Sequence, residues 1–256
     1  MRMLIYHAVA VVVAVAPGAP FAAGAQVPSA PRNATVSAEG ARLVRVIARA
    51  GTLRVTGVEG LTEVRVRGTA RAARERHLDD IRLRAERRGD VVEVEADMPN
   101  RMGIGMWNDR LDLEIEVPRG ARLDVDDGSG DLEIRHVGTL RLEDGSGEVE
   151  VEDVAGDLEI KDGSGELRIR QVGGDLEVED GSGGIDVREV KGAFTVDEDG
   201  SGEIVAEDVT GTVRVRRDGS GEIRVSDVGG DFIVDHDGSG GVRSRNVKGQ
   251  IRLPGS

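Results

Sequence analysis

The chain has 256 residues, with 34 Lys and Arg against 48 Asp and Glu for a net charge of −14, no Cys, and only three Phe, one Trp and one Tyr. Without Cys there are no disulfides, no thiolate chemistry, no Cys-based zinc site and no lipid attached through Cys. The acidic balance and the scarcity of rings argue against a nucleic-acid binder, which needs a cationic face and stacking platforms.

In chain order, Arg2 precedes an apolar run, Leu4 to Ala16, which Pro17 to Pro20 interrupts before the small residues Ala23-Gly24-Ala25. This pattern is that of a secretory signal peptide over residues 1–25, cut after Ala25. The run is too short to span a bilayer and no later segment reaches that length, so the mature chain is expected to be exported, to the periplasm or the cell surface. Residues 26–39 read as a flexible leader. Residues 40–118 read as a degenerate β part or cap. Within it, Gly51 to Val66 resembles one coil, Ala70 to Asp80 a short helix, Arg82 to Asp97 two strands around Arg88-Gly89-Asp90, and Leu111 to Val117 a strand stopped by Pro118.

Residues 119–256 are governed by a repeat. Asp-Gly-Ser-Gly starts at Asp127, Asp144, Asp162, Asp180, Asp199, Asp218 and Asp237, in steps of 17 to 19 residues. Val137, Val154, Val172, Val190, Val209, Val228 and Val247 keep step with it. Alignment on these markers gives five apolar columns. Two precede the valines, from Leu132 and Ile134 onward, and two follow them, from Leu140 and Leu142 onward. Members of each such pair lie two residues apart with charges between them, which is strand alternation rather than helical periodicity. Two short strands cannot bury one apolar face alone, but stacked coils convert each column into a continuous ladder. The expected fold is an all-β β-solenoid (β-helix) of seven coils of 17–19 residues, two short strands per coil, behind a less regular N-terminal β part. A propeller blade needs about 40 residues and does not fit.

The Leu111–Val117 strand ending at Pro118, followed by the repeated Gly-x-Leu-x-Val and Gly-Ser-Gly patterning, resembles the DUF4097 family of adhesin-like bacterial β-strand repeat proteins over roughly residues 40–256. The resemblance implies a β-solenoid in envelope or secreted proteins and implies no catalytic residues.

The aspartates of the repeat have two readings. In the first they are turn residues, accepting backbone N–H bonds beside glycines that permit positive φ. In the second, Asp127, Asp144, Asp162, Asp180, Asp199, Asp218 and Asp237 form a ladder that binds cations such as Ca²⁺ weakly. The Gly-x-Asp of calcium-binding nonapeptide repeats does not recur. Asp235-His236-Asp237 reads as a solvated turn, and seven equivalent Gly-Ser-Gly serines do not make a nucleophile elbow. Met98 to Trp107 holds the only Trp and every Met of the mature chain. It reads first as packing over the solenoid and second as an interaction loop built on Met102, Met106 and Trp107. Residues 26–110 carry 16 basic and 12 acidic residues, whereas residues 111–256 carry 17 and 36. The expected function is therefore that of an exported, non-enzymatic structural or adhesin-like binding protein with a rigid acidic surface, no cofactor, and an envelope polymer or protein as partner. The alternatives are a carbohydrate-active β-helix enzyme and a self-assembling envelope scaffold.

Overall fold

The structure is a computed structural model that describes residues 27–98 and 109–255. The signal-peptide segment and the loop residues Met102, Met106 and Trp107 lie outside the described residues. Seven strands come first: β1 (Ser29–Ser37), β2 (Leu43–Ile47), β3 (Leu53–Val58), β4 (Glu63–Arg71), β5 (Arg82–Arg88), β6 (Val91–Asp97) and β7 (Arg110–Pro118). A short 3-10 helix, Glu75–Asp80, joins β4 to β5.

The repeats follow as alternating strands. One set is β8 (Leu123–Asp127), β10 (Leu140–Asp144), β12 (Leu158–Asp162), β14 (Leu176–Asp180), β16 (Phe194–Asp199), β18 (Val213–Val215), β20 (Phe232–Val234) and β22 (Ile251–Arg252). The other is β9 (Leu132–Val137), β11 (Val149–Val154), β13 (Leu167–Val172), β15 (Ile185–Val190), β17 (Ile204–Val209), β19 (Gly221–Val228) and β21 (Gly240–Val247). Each set stacks in parallel within its own 11-stranded sheet. The pairing is in register, so Leu123, Leu140 and Leu158 lie on successive rungs, as do Leu132, Val149 and Leu167. This is the β-solenoid read from the repeat.

All five apolar columns point inward through the first six coils, and all their members there are buried. The seventh coil differs. Ile251 is 49% exposed and Val242, Val247 and Leu253 are only partly buried, because no further rung covers them.

The corner before each valine is made by a residue in the left-handed region: His136, Asp153, Gln171, Glu189, Asp208, Asp227 and Asn246, with φ between 53° and 62°. Non-glycine residues pay strain there, and Asp, Asn and His tolerate it best. Stacking offsets part of the strain, since Asn246 Nδ2 donates to Asp227 Oδ1 at 2.6 Å and His136 Nδ1 sits 2.8 Å from Asp153 Oδ2.

Three expectations for the N-terminal region need correction. Residues 26–39 are not a flexible leader throughout, because β1 pairs along its whole length with β4 as an edge strand. Gly51 to Val66 is not a coil. Gly57 occupies the corner position but does not take a positive φ. The chain therefore runs straight through Val58, reverses at Gly60 (φ 70°), and places β3 and β4 in the same sheet. The helix is confined to Glu75–Asp80 because β4 extends to Arg71. The Arg82–Asp97 hairpin and the Pro118-terminated strand are as expected. No structural break separates residues 40–118 from the repeats: β2 pairs with β8, β3 pairs with β9, and one continuous core runs through both.

Candidate functional site

A sixth inward column runs beside the aliphatic ones, and it is made of carboxyls. In β8 the inward residues are Leu123, Val125 and Asp127, and β10, β12 and β14 repeat this with Asp144, Asp162 and Asp180. Asp127, Asp144, Asp162, Asp180, Asp199 and Asp218 are each between 1% and 7% exposed. They face one another across the rungs, Asp127 with Asp144, Asp144 with Asp162, Asp162 with Asp180, and so on to Asp218 with Asp237. Asp237 is half-buried.

An inserted residue tests how firmly this column is held. From the fifth coil onward one residue is added before the aspartate, at Glu198, Arg217 and His236. With a side-chain period of two, one insertion sends every following residue to the other face. Instead β16 absorbs it as an irregularity opposite Val178 and Glu179, and Asp199 still pairs with Asp180 at 1% exposure. The bulge keeps the carboxyl inside.

Donors are scarce. Gly128 N–H donates to Asp127 Oδ1 at 2.9 Å and Ser182 N–H to Asp180 Oδ1 at 3.2 Å. The carboxyl oxygens of Asp144, Asp162, Asp199 and Asp218 make no hydrogen bond of full geometry, although turn N–H groups at Gly145, Gly163, Ser164, Ser201 and Ser220 face them and pull these acids down less than burial pushes them up. Among the described residues no Arg, Lys or His forms an ion pair with any of the six. Burial is the first cause pushing these acids upward: Asp127 and Asp180 to about 6, Asp144 and Asp199 to about 8, and Asp162 and Asp218 upward as well. Neighbouring aspartate charge adds to burial at Asp144, Asp180 and Asp199. The turn reading accounts for the bonded oxygens of Asp127 and Asp180 but not for the depth of the column. Among the described residues no group of three or more His, Asp or Glu is arranged to hold a metal ion.

Two further features stand outside the column. His77 Nδ1 lies 3.4 Å from Asp109 Oδ2, both side chains are close to nine-tenths buried, and Asp109 Oδ1 accepts from Ala73 N–H at 2.9 Å. Nothing in the sequence spacing joins these two residues. A surface depression of about 1090 Å³ lies where β3, β4, β7 and β9 meet, with Arg54, Arg67, Arg71, Asp112, Glu133 and Glu150 among its walls. Its cations are paired in place, Arg71 with Asp112 at 2.7 Å and Arg54 with Glu133 at 2.7 Å. His236 is exposed and its neighbour Asp235 is bonded to Arg214, so these two face solvent, whereas Asp237 is half-buried opposite Asp218.

Coils stacked in register on a sealed aliphatic core define a β-solenoid repeat protein. The chain belongs to the Toastrack DUF4097 family, whose model matches residues 58–250. Among solved structures it is similar to a "putative adhesin" from Bacteroides fragilis NCTC 9343, with 13% identity, 88% of this chain and 96% of that one covered, and a TM-score of 0.45. It is also similar to a "putative lipid binding protein" from Parabacteroides distasonis ATCC 8503, with 14% identity, 86% and 96% covered, and a TM-score of 0.41. A "putative cell adhesion protein" from Clostridium sporogenes ATCC 15579 matches at 13% identity, with 87% and 98% covered and a TM-score of 0.30. No curated protein matches the chain.

Proposed function

We propose that the chain is an exported, non-enzymatic binding module of adhesin-like kind, whose rigid rod presents charged faces to an envelope polymer or protein. The observation that carries this reading is the outward lattice. Ion pairs link neighbouring rungs across a predominantly acidic surface, as in Arg135 with Glu150 at 3.1 Å, Arg141 with Glu159 at 2.9 Å, Lys161 with Glu179 at 3.0 Å and Arg216 with Asp197 at 2.6 Å. Exposed pairs of this kind contribute only about 0–1 kcal/mol each to stability, so stability alone does not account for a lattice this extensive. A fixed array of charges on a stiff frame suits recognition of an extended, charged partner, because little conformational freedom is lost on binding. The depression of about 1090 Å³ beside Arg54 and Arg67 offers such a partner a seat on that surface.

The test is co-sedimentation of the purified protein with isolated cell-envelope fractions at about 0.15 M salt. Binding that weakens with salt and drops in the Arg54→Glu/Arg67→Glu variant supports the reading. Failure to associate with any envelope fraction overturns it. Export is checked separately by N-terminal sequencing of the protein from fractionated cells, where a mature start at Gln26 is expected.

A further inference from the structure

We infer that the buried aspartate column is a proton-holding site, in which neighbouring carboxyls share protons as O–H···O bonds at neutral pH. The inference is independent of the binding role proposed above. Its basis is geometry. Six side chains are buried and stacked one rung apart at roughly 4.8 Å, with no cation beside them, only turn N–H groups as donors, and most of their buried oxygens left without a hydrogen bond.

Such a row has few electrostatic options. If every member were ionised, adjacent unpaired charges would sit inside the protein, each costing several kcal/mol. Two like-charged carboxyls in contact cannot both ionise readily, and the first proton is retained by the pair. One proton between two carboxyls satisfies an oxygen on each and forms a charge-assisted bond, which is the stronger kind. The proton needs no partner beyond the row, so a column lacking donors elsewhere is internally satisfied once partly protonated.

The charged groups around the column agree with this assignment. Strand neighbours of the row that lean to solvent are Asp126, Glu143, Lys161, Glu179, Glu198, Arg217 and His236. Across the turn, Asp131, Glu148, Glu166 and Glu203 stand immediately before the facing strands and Glu222 is the second residue of β19. This surround is predominantly acidic, so it also favours proton retention. The irregularity in β16 falls within the row, yet Asp180 and Asp199 still pair across it. Asp144 and Asp199 are pushed highest, to about 8. The same bulge holds Asp199 inward against the parity of the insertion, so the carboxyl is kept in the row where the default geometry would expel it.

The test is proton counting. Unfolding the whole protein by urea at pH 7 in weak buffer should release about two protons per molecule, those held around Asp144 and Asp199, because the unfolded acids are ionised at that pH. Infrared spectra of the folded protein in D₂O should show a protonated-carboxyl band at pH 7 that bleaches as the pH passes 8. Asp144→Asn/Asp199→Asn should abolish most of the release, while Glu143→Gln, which points outward on β10, should leave it unchanged. If the double variant does not fold, the release and the band of the unaltered protein decide alone. No proton release and no protonated band at pH 7 overturn the inference. So does a midpoint that climbs with added CaCl₂ in the absence of that band, which would make the row an ionised, cation-filled ladder.

Discussion

Gly183 and Gly184 are neighbours in one turn, yet replacing each with Ala should have opposite results. A Cβ on Gly183 would lie 1.5 Å from the Gly165 carbonyl oxygen and 2.6 Å from its carbon, atoms of the rung beneath, and the backbone sits at φ 145°. Neither can yield without separating the coils. Strain at such a φ costs about 1–3 kcal/mol. Opening the turn also strips two rung bonds, Gly183 N–H to Ser201 O at 2.8 Å and Gly165 N–H to Ser182 O at 3.0 Å. Leaving those groups unpaired costs a further 1–3 kcal/mol or so each. The expected loss for Gly183→Ala is roughly 4–8 kcal/mol, against a total stability of about 5–15 kcal/mol for an ordinary domain. A Cβ on Gly184 meets the Glu166 side chain at 3.7 Å and the Glu203 carbonyl oxygen at 3.9 Å, both ordinary contacts, at a φ outside the left-handed range. Gly184→Ala should gain about 0.4–1 kcal/mol by restricting the unfolded chain. Urea unfolding followed by circular dichroism measures both. The Gly183 variant should also show a lower m-value if the stack splits into uncoupled halves. A Gly183→Ala loss below about 1 kcal/mol, or equal effects at the two sites, would refute the claim that these glycines exist to let successive turns touch.

Four other outcomes are expected. Val172→Asp puts an unpaired charge at a position 1% exposed and should unfold the protein at neutral pH, seen as loss of the β-sheet circular dichroism signal. Gln171→Val, at φ 59°, should cost roughly 1–3 kcal/mol because a branched side chain is strained in the left-handed region, whereas Gln171→Asn should be nearly neutral in the same unfolding assay. Stability should fall as pH rises from about 4 to about 8: the raised acids bind more protons folded than unfolded in that window, so each proton lost works against folding, and thermal midpoints across the range will show it. Removing residues 27–37 uncovers the edge of β4 and should cause association of the otherwise folded protein, measured by light scattering.

How much the sequence disclosed depended on how many times each feature was repeated. The valine, leucine and isoleucine columns were legible because seven copies averaged out local exceptions such as Ala206 and Ser244. The aspartates were repeated just as often, yet they were read as turn residues, because Asp beside Gly-Ser-Gly satisfies a turn pattern completely. The overlooked signal was parity. Asp144, Asp162 and Asp180 lie two residues beyond Leu142, Ile160 and Val178, which is the inward spacing. After the insertion the spacing becomes three at Asp199, and only the bulge in β16 shows that the side chain stays inside. The N-terminal errors have another origin. β1 is an edge strand of small and polar residues, Ser-Ala-Pro-Arg-Asn-Ala-Thr-Val-Ser, with a single buried position, so no alternation announces it. Gly51 to Val66 has coil-like apolar spacing but lacks a left-handed residue before Val58, and that corner decides whether the chain changes sheets. His77 and Asp109 meet through tertiary folding alone, since 31 intervening residues include two strands and a helix.

The turn and the column make different demands on the same residue, and the difference says why the residue is Asp. Asn accepts the same backbone bonds in a tight turn, tolerates the same conformations and brings no charge. Were the turn the whole requirement, an amide would meet it without the cost of burying an ionisable group. The seven repeats vary freely nearby: the residue after Gly-Ser-Gly is Asp131, Glu148, Glu166, Gly184, Glu203, Glu222 or Gly241, and the one before the motif changes in charge between Glu179 and Arg217. The Asp-Gly-Ser-Gly motif does not vary, and its carboxyl stays inside even where an inserted residue had to be absorbed. A property that an amide lacks must therefore be in use within the core, and at these positions the distinguishing property is the exchangeable proton. The exterior of the rod can meet a partner through fixed, solvated charges while the interior responds to pH, because the two sets of acids occupy opposite faces of the same strands.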